Sequence, residues 1–152
     1  MNGTRRRWLQ GALALAAGFS PRLRGTPVSR RSNAAFAARE VDVALRELLG
    51  VTRADLIRTD KLRLNITAVA ENGAIVPLTV TSDLDRVELI AILAVDNPHP
   101  LTSSYALPAG TLPYVSTRIK MRATADVLAM AKCGNRVYYT AQGVEVGVGG
   151  CN

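Results

Sequence analysis

Residues 62–82 read "LRLNITAVAENGAIVPLTVTS". Leu62, Leu64 and Ile66 alternate with Arg63, Asn65 and Thr67, the two-residue period of a half-buried strand. Asn72-Gly73 is the pair most favoured in two-residue hairpin loops. The spacing predicts a return strand over Ile75–Thr81, and Pro77, which lacks a backbone N–H, predicts a free edge or a bulge there. A chain that turns back within twenty residues on an alternating pattern builds antiparallel sheet.

The rest of the C-terminal two-thirds repeats the theme. "RVELIAILAVD" (86–96) is almost wholly apolar and predicts a central strand. "SSYALPAG" gives a short strand and a turn. In "YVSTRIKMR" (114–122), Val115, Thr117, Ile119 and Met121 oppose Tyr114, Ser116, Arg118 and Lys120. "DVLAMA" and "RVYYTAQGVEVGV" flank "KCGN", a tight turn carrying Cys133. About seven short strands with turns between them predict a mainly β protein, an antiparallel β-sandwich of immunoglobulin type. The Cys…Trp…Cys hallmark of antibody domains is missing, since the only tryptophan is Trp8.

Ahead of the strands the period is helical. Val41, Ala44, Leu45 and Leu48 form one face of a short helix, and Gly50 is placed to end it. "TRADLIR" (52–58) offers one further turn. "SPRLRGTPVSRRSN" (20–33) reads as loop.

The chain opens "MNGTRRRWLQGALALAAGF". Its apolar run from Trp8 to Phe19 is too short for a membrane span of roughly 20 residues, so no stable membrane anchoring is expected. A basic start before a short apolar run is the pattern of an export signal. Arg5 and Arg6, between Thr4 and the apolar pair Trp8-Leu9, resemble the twin-arginine motif. The expected organisation is a twin-arginine signal peptide and linker over 1–31, a sandwich over 32–146 and a flexible C-terminal arm over 147–152. The mature chain is expected to begin between Gly25 and Ala34, in the periplasm.

That division changes the meaning of the charge. The chain carries 19 basic and 12 acidic residues. Seven arginines precede Ser32 and no acid does, so the remainder balances at twelve against twelve. A basic pI would invite a nucleic-acid partner, but the basicity belongs to the leader. Metal chemistry lacks its ligands too. The one histidine, His99, sits in "DNPHPLTSS" with no neighbouring cluster of His, Cys or carboxylate, and a solvated loop histidine is expected.

The tail, "VEVGVGGCN" (144–152), poses the functional question. Cys151 stands behind Gly149-Gly150, near a terminus, with Gly147 two residues further back. The five residues from Val146 to Cys151 span roughly 16–18 Å when extended. Glycines keep such an arm slim and leave its backbone free. A thiol carried this way can enter a narrow pocket in another protein. A free thiol titrates near 8.5 and is activated by a neighbouring cation, helix N-terminus or metal. The tail supplies none, and Glu145 and the Asn152 carboxylate discourage the thiolate. Deprotonation is therefore expected from a partner's pocket. The two cysteines, Cys133 and Cys151, also leave open a bridge or a redox pair in an export compartment, although no Cys-x-x-Cys motif is present. A sandwich binding module with a loose tail is the other alternative.

These stretches together resemble the SoxY family, sulfur carriers of the bacterial thiosulfate-oxidising Sox system. The resemblance rests on "FAAREVDVALRELLG", "IRTDKLRLNITAVAENGAIVPLTVTS", "DNPHPLTSSYAL", "YVSTRIKMRATADVLAMA" and "VEVGVGGCN", and covers essentially the whole chain. It implies a protein without catalytic residues or cofactor of its own. Thiosulfate-derived sulfur would be held covalently on Cys151, with Gly149 and Gly150 as a slim neck. It also implies a heterodimer with a SoxZ-like subunit and visits to other Sox enzymes, among them a haem enzyme that loads the thiol. The family usually closes Gly-Gly-Cys-Gly-Gly, whereas here Asn152 follows Cys151. The tail cysteine and the leader set the chain apart from the SoxZ-like partner itself.

Overall fold

A computed structural model describes residues 28–147. Two helices, α1 (Val28–Ala37) and α2 (Val41–Leu49), precede a single 3-10 turn at Arg53–Asp55. Nine strands follow: β1 (Leu56–Arg58), β2 (Leu62–Ile66), β3 (Val69–Ala70), β4 (Val76–Ser82), β5 (Leu89–Ala94), β6 (Leu101–Ala106), β7 (Tyr114–Ile119), β8 (Ala125–Cys133) and β9 (Arg136–Val146). They form two sheets. One runs β1-β9-β8-β5-β6, with β3 also pairing β9; the other runs β2-β4-β7. The result is an immunoglobulin-like β-sandwich, antiparallel except where β1 and β3 add to β9 in parallel.

The sandwich interior follows from the alternation. Leu62, Ile66, Val76, Leu78, Val80, Val115 and Ile119 of the small sheet face Ile90, Ile92, Val127, Ala129 and Val144 of the large one. Tyr105 joins the layers at one edge, its hydroxyl donating to Thr117 Oγ1 at 2.9 Å. The large sheet is covered on its other face as well. Ala35, Ala38, Val41, Ala44 and Leu45 of the helical segment pack on Ala91, Leu93, Leu128, Met130 and Val137. β5 is thus buried on both faces, which explains why its sequence is apolar without alternation. Gly50 ends α2 in the left-handed conformation, φ 74°, and its N–H bonds back to the Leu45 and Arg46 carbonyls.

Three local expectations are corrected. Asn72-Gly73 is not a two-residue hairpin loop. β2 and β4 do pair, from Leu62↔Ser82 to Ile66↔Leu78, but the nine residues 67–75 detour between them and contribute β3 to the other sheet. Gly73 does not have the positive φ that such a loop needs. The tight hairpin is Gly134-Asn135, between β8 and β9, with Gly134 at φ 58°. The Ile75–Thr81 stretch is not an edge: β4 lies between β2 and β7. Pro77 is tolerated there because the β2 ladder stops at Leu78, one residue short of it. Finally, part of the segment read as loop is helix α1.

Candidate functional site: the root of the C-terminal strand

Arg5, Arg6, Gly149, Gly150 and Cys151 lie outside the described residues. What the structure defines is the base from which the tail departs, ending at Gly147. Three consecutive backbone N–H groups fasten it. Glu145 N donates to Ala68 O at 2.8 Å, Val146 N to Thr124 Oγ1 at 3.0 Å, and Gly147 N to Ala70 O at 2.9 Å. Further back, the Gln142 side chain donates to Ile66 O at 2.8 Å. Gly147, read from sequence as the first residue of the arm, is itself held by the sheet.

Gly73 is the keystone of this base. Its C=O faces the β7–β8 connection, where Met121 N donates to Gly73 O at 2.7 Å. A Cβ at residue 73 would fall 2.4 Å from Met121 O and 2.8 Å from Val146 Cγ1. Only glycine allows the β3–β4 connection to approach both neighbours so closely. The asparagine beside it makes a local turn instead of a hairpin, its Oδ1 accepting from Ala74 N at 2.9 Å. Sequence reading missed this base. The Asn72-Gly73 signal was visible, but a glycine needed for close approach spells the same as a glycine needed for a turn.

Two hollows lie near the root. On one side Asp96, Asp126 and Glu145 line a shallow depression beside Thr124. On the other, Lys120 and Arg122 line a separate hollow with Asn97, Pro98 and His99. Asn97 braces that hollow, its Nδ2 donating to Lys120 O at 2.7 Å and its Oδ1 accepting from Arg122 N at 2.9 Å. His99 is exposed, with Nδ1 3.2 Å from Ala38 O. Among the described residues no group of His, Cys, Asp and Glu is arranged to hold a metal ion.

Cys133 sits at the opposite end. It closes the β8–β9 ladder opposite Arg136, whereas the tail leaves β9 beyond Val146. Ten residues of strand separate Arg136 from Val146, roughly 30 Å at strand rise. The Val146–Cys151 segment spans at most about 18 Å, and a disulfide needs Cα atoms within about 7 Å. Within one folded chain the two cysteines are out of reach of each other. Cys133 is half-buried and free. Burial first, then the nearby Glu88 and Asp85 carboxylates, push its thiol above the ordinary cysteine range, the reverse of an activated nucleophile.

The geometry therefore defines a β-sandwich that holds its last strand rigidly up to a glycine four residues short of a cysteine. The sequence matches the family model described as "Sulfur oxidation protein SoxY" over residues 46–151, a span that includes Cys151. The chain belongs to the SoxY family. Among solved structures it is similar to the sulfur carrier protein SoxY from Chlorobium limicola f thiosulfatophilum. The two are 27% identical with a TM-score of 0.64, and the match covers 76% of this chain and 98% of that one. No curated protein matches the sequence.

Proposed function

We propose that this protein is a periplasmic sulfur carrier that holds thiosulfate-derived intermediates covalently on Cys151. It would present them to the enzymes of a Sox system while itself catalysing nothing. The observation that carries this reading is the family match running through Cys151, which supports the carrier role of a cysteine four residues beyond the hydrogen-bonded Gly147. Loading would join the Cys151 sulfur to the sulfane sulfur of thiosulfate. The thiol proton and two electrons leave, the electrons going to a haem partner, and a thiosulfonate anion stays on the arm. With no cation or helix N-terminus in the tail, the thiolate would form inside the partner's pocket. The twin-arginine leader would deliver the folded domain, and a SoxZ-like subunit would pair with it. Val69 and Ile75, both exposed beside the tail root, give an apolar contact at the end where partners must approach.

The test is intact-mass measurement after loading by the reconstituted enzymes. Cys151→Ser should carry no adduct and end thiosulfate oxidation, while Cys133→Ser loads normally. Adducts persisting on Cys151→Ser would remove the assignment. Loss of adducts in both variants would favour a redox pair acting between chains.

A further inference from the structure

We propose that residues 145–147 are a releasable latch. They leave the sheet together, as a minor state, and lengthen the chain that carries Cys151. The use of this in delivery rests on the reading of Cys151 as the carrier; the latch itself does not.

The first argument is where the broad ladder stops. β9 runs along β8 as far as Ala125↔Val144, and Val144 is 1% exposed. Beyond it β9 pairs only with β3, two residues long, through Val69↔Glu145 and Ala70↔Val146. The Thr124 hydroxyl adds one bond, to Val146 N. Glu145 is exposed, and Val146 and Gly147 are half-buried. Release therefore breaks the three N–H bonds of the root and uncovers one half-buried valine. Peeling one residue further would draw out Val144. Exposing a fully buried valine lowers a population roughly ten- to a hundredfold, so the release has a defined stop.

The second is that the seat is built without the latch. The Gln142 side chain donates to Ile66 O at 2.8 Å, Met121 N donates to Gly73 O at 2.7 Å, and Ala70 is buried in the sandwich interior. None of these contacts uses residues 145–147. β3 and the Gly73 turn stay in place when the latch leaves, ready to receive it again.

The third is the catch. Val146 is the one apolar side chain of the three, and it packs against the interior. Bare glycine backbone forms its wall, since a Cβ at residue 73 would fall 2.8 Å from Val146 Cγ1. The Val146 N–H bond lies between those of Glu145 and Gly147. When the valine leaves, both flanking bonds lose their geometry, so the three open as one local unit. Minor states of this kind are populated at about 0.1–10%. Release frees three further residues ahead of Cys151, about 10 Å when extended. A shallow and a deep partner pocket can then be served by one arm.

Amide exchange on the mature full-length protein tests the release. Glu145, Val146 and Gly147 should open as a unit, with protection factors within about threefold of one another. They should lie at least roughly tenfold below Val144. Val146→Ala weakens the catch and should speed exchange at all three roughly fivefold, leaving Val144 unchanged. Protection equal to that of Val144 would overturn the latch, as would protection graded steadily from 147 to 145. Val146→Ala acting on Val144 to the same extent would overturn it too. For delivery, Val69→Cys/Glu145→Cys in a Cys133→Ser background puts thiols at directly paired positions. Neighbouring strands are about 4.8 Å apart, inside disulfide range. Peptide mass verifies the 69–145 bridge and a free Cys151. Bridged and unbridged protein should load alike from tetrathionate, where the Cys151 thiolate attacks a sulfane sulfur and thiosulfate leaves. The Sox enzymes should turn the bridged protein over several-fold more slowly, and three glycines inserted after Gly147 should restore the rate. Unslowed turnover, or no rescue by the insertion, would overturn the delivery role. Failure of Cys151 as the carrier reads differently: the unbridged protein would then take no enzymatic adduct either, and the delivery role would fall with it, while the exchange result still decides the latch.

Discussion

The Thr124 hydroxyl accepts a hydrogen bond from the Val146 backbone N–H at 3.0 Å, linking the β7–β8 connection to the last residue of β9. Thr124→Val keeps the shape and removes the acceptor. A typical hydrogen bond contributes about 1 kcal/mol net, so amide exchange at Val146 should quicken several-fold. Exchange at Ala129, in mid-ladder, should not change. Equal protection at Val146 in both proteins would mean that Thr124 does not fasten the root.

Gly73→Ala tests the close approach. The added methyl would collide with the Met121 carbonyl, which is backbone and cannot swing aside. Overpacking of this kind costs about 1–3 kcal/mol. The urea midpoint should drop by that free energy divided by the slope, the slope itself unchanged. Gly143→Ala is the control, since its Cβ meets only Asp126 Oδ1, at 3.4 Å, and should leave the midpoint nearly unmoved.

The raised thiol of Cys133 sets a pH dependence. Alkylation of this residue in the folded protein, mapped by peptide mass, should be slower at pH 8 than in the urea-unfolded chain and should accelerate only at higher pH. The same shift has a sign for stability. Below the unfolded value both states keep the proton, and the contribution is constant. As pH rises past it, the unfolded thiol ionises first, so stability declines. Cys133→Ser should flatten that alkaline decline. A folded-state alkylation profile matching the unfolded one would show Cys133 to be an ordinary exposed thiol.

Replacing Arg5 and Arg6 by lysine should leave precursor in the cytoplasm if export follows the twin-arginine route. Cell fractionation with immunodetection reads this directly. Undiminished periplasmic protein would point to the general secretory route.

The long strands were legible in the sequence because their alternation is a direct imprint of a two-faced environment. Val115, Ile119 and Met121 are buried while Tyr114, Ser116, Arg118 and Lys120 are exposed. β5 was legible as central, but its cause was not: an apolar run does not say that a helix covers the second face. β1 and β3 have three and two residues, too few to display a period, and their parallel pairing with β9 depends on partners up to 81 positions away. α1 was hidden because "VSRRSN" spends polar and basic residues where a buried stripe would announce a helix. At the tail, Cys151 and its glycines stood out by composition. Thr124 did not, since an acceptor for one distant N–H leaves no local trace.

The pairing of β9 with β8, β1 and β3 also governs how the molecule comes into being. Leu56 waits for Val137, and Val69 for Glu145, so the large sheet cannot close until residue 146 has left the ribosome. Sheets built from such distant contacts fold slowly, in milliseconds to seconds. Until then Ile90, Leu93 and Val127 have no complete shelter, and the nascent chain is open to association with its neighbours. Synthesis thus yields a domain that becomes sound only as its final strand docks, and the same event sets the place from which Cys151 extends.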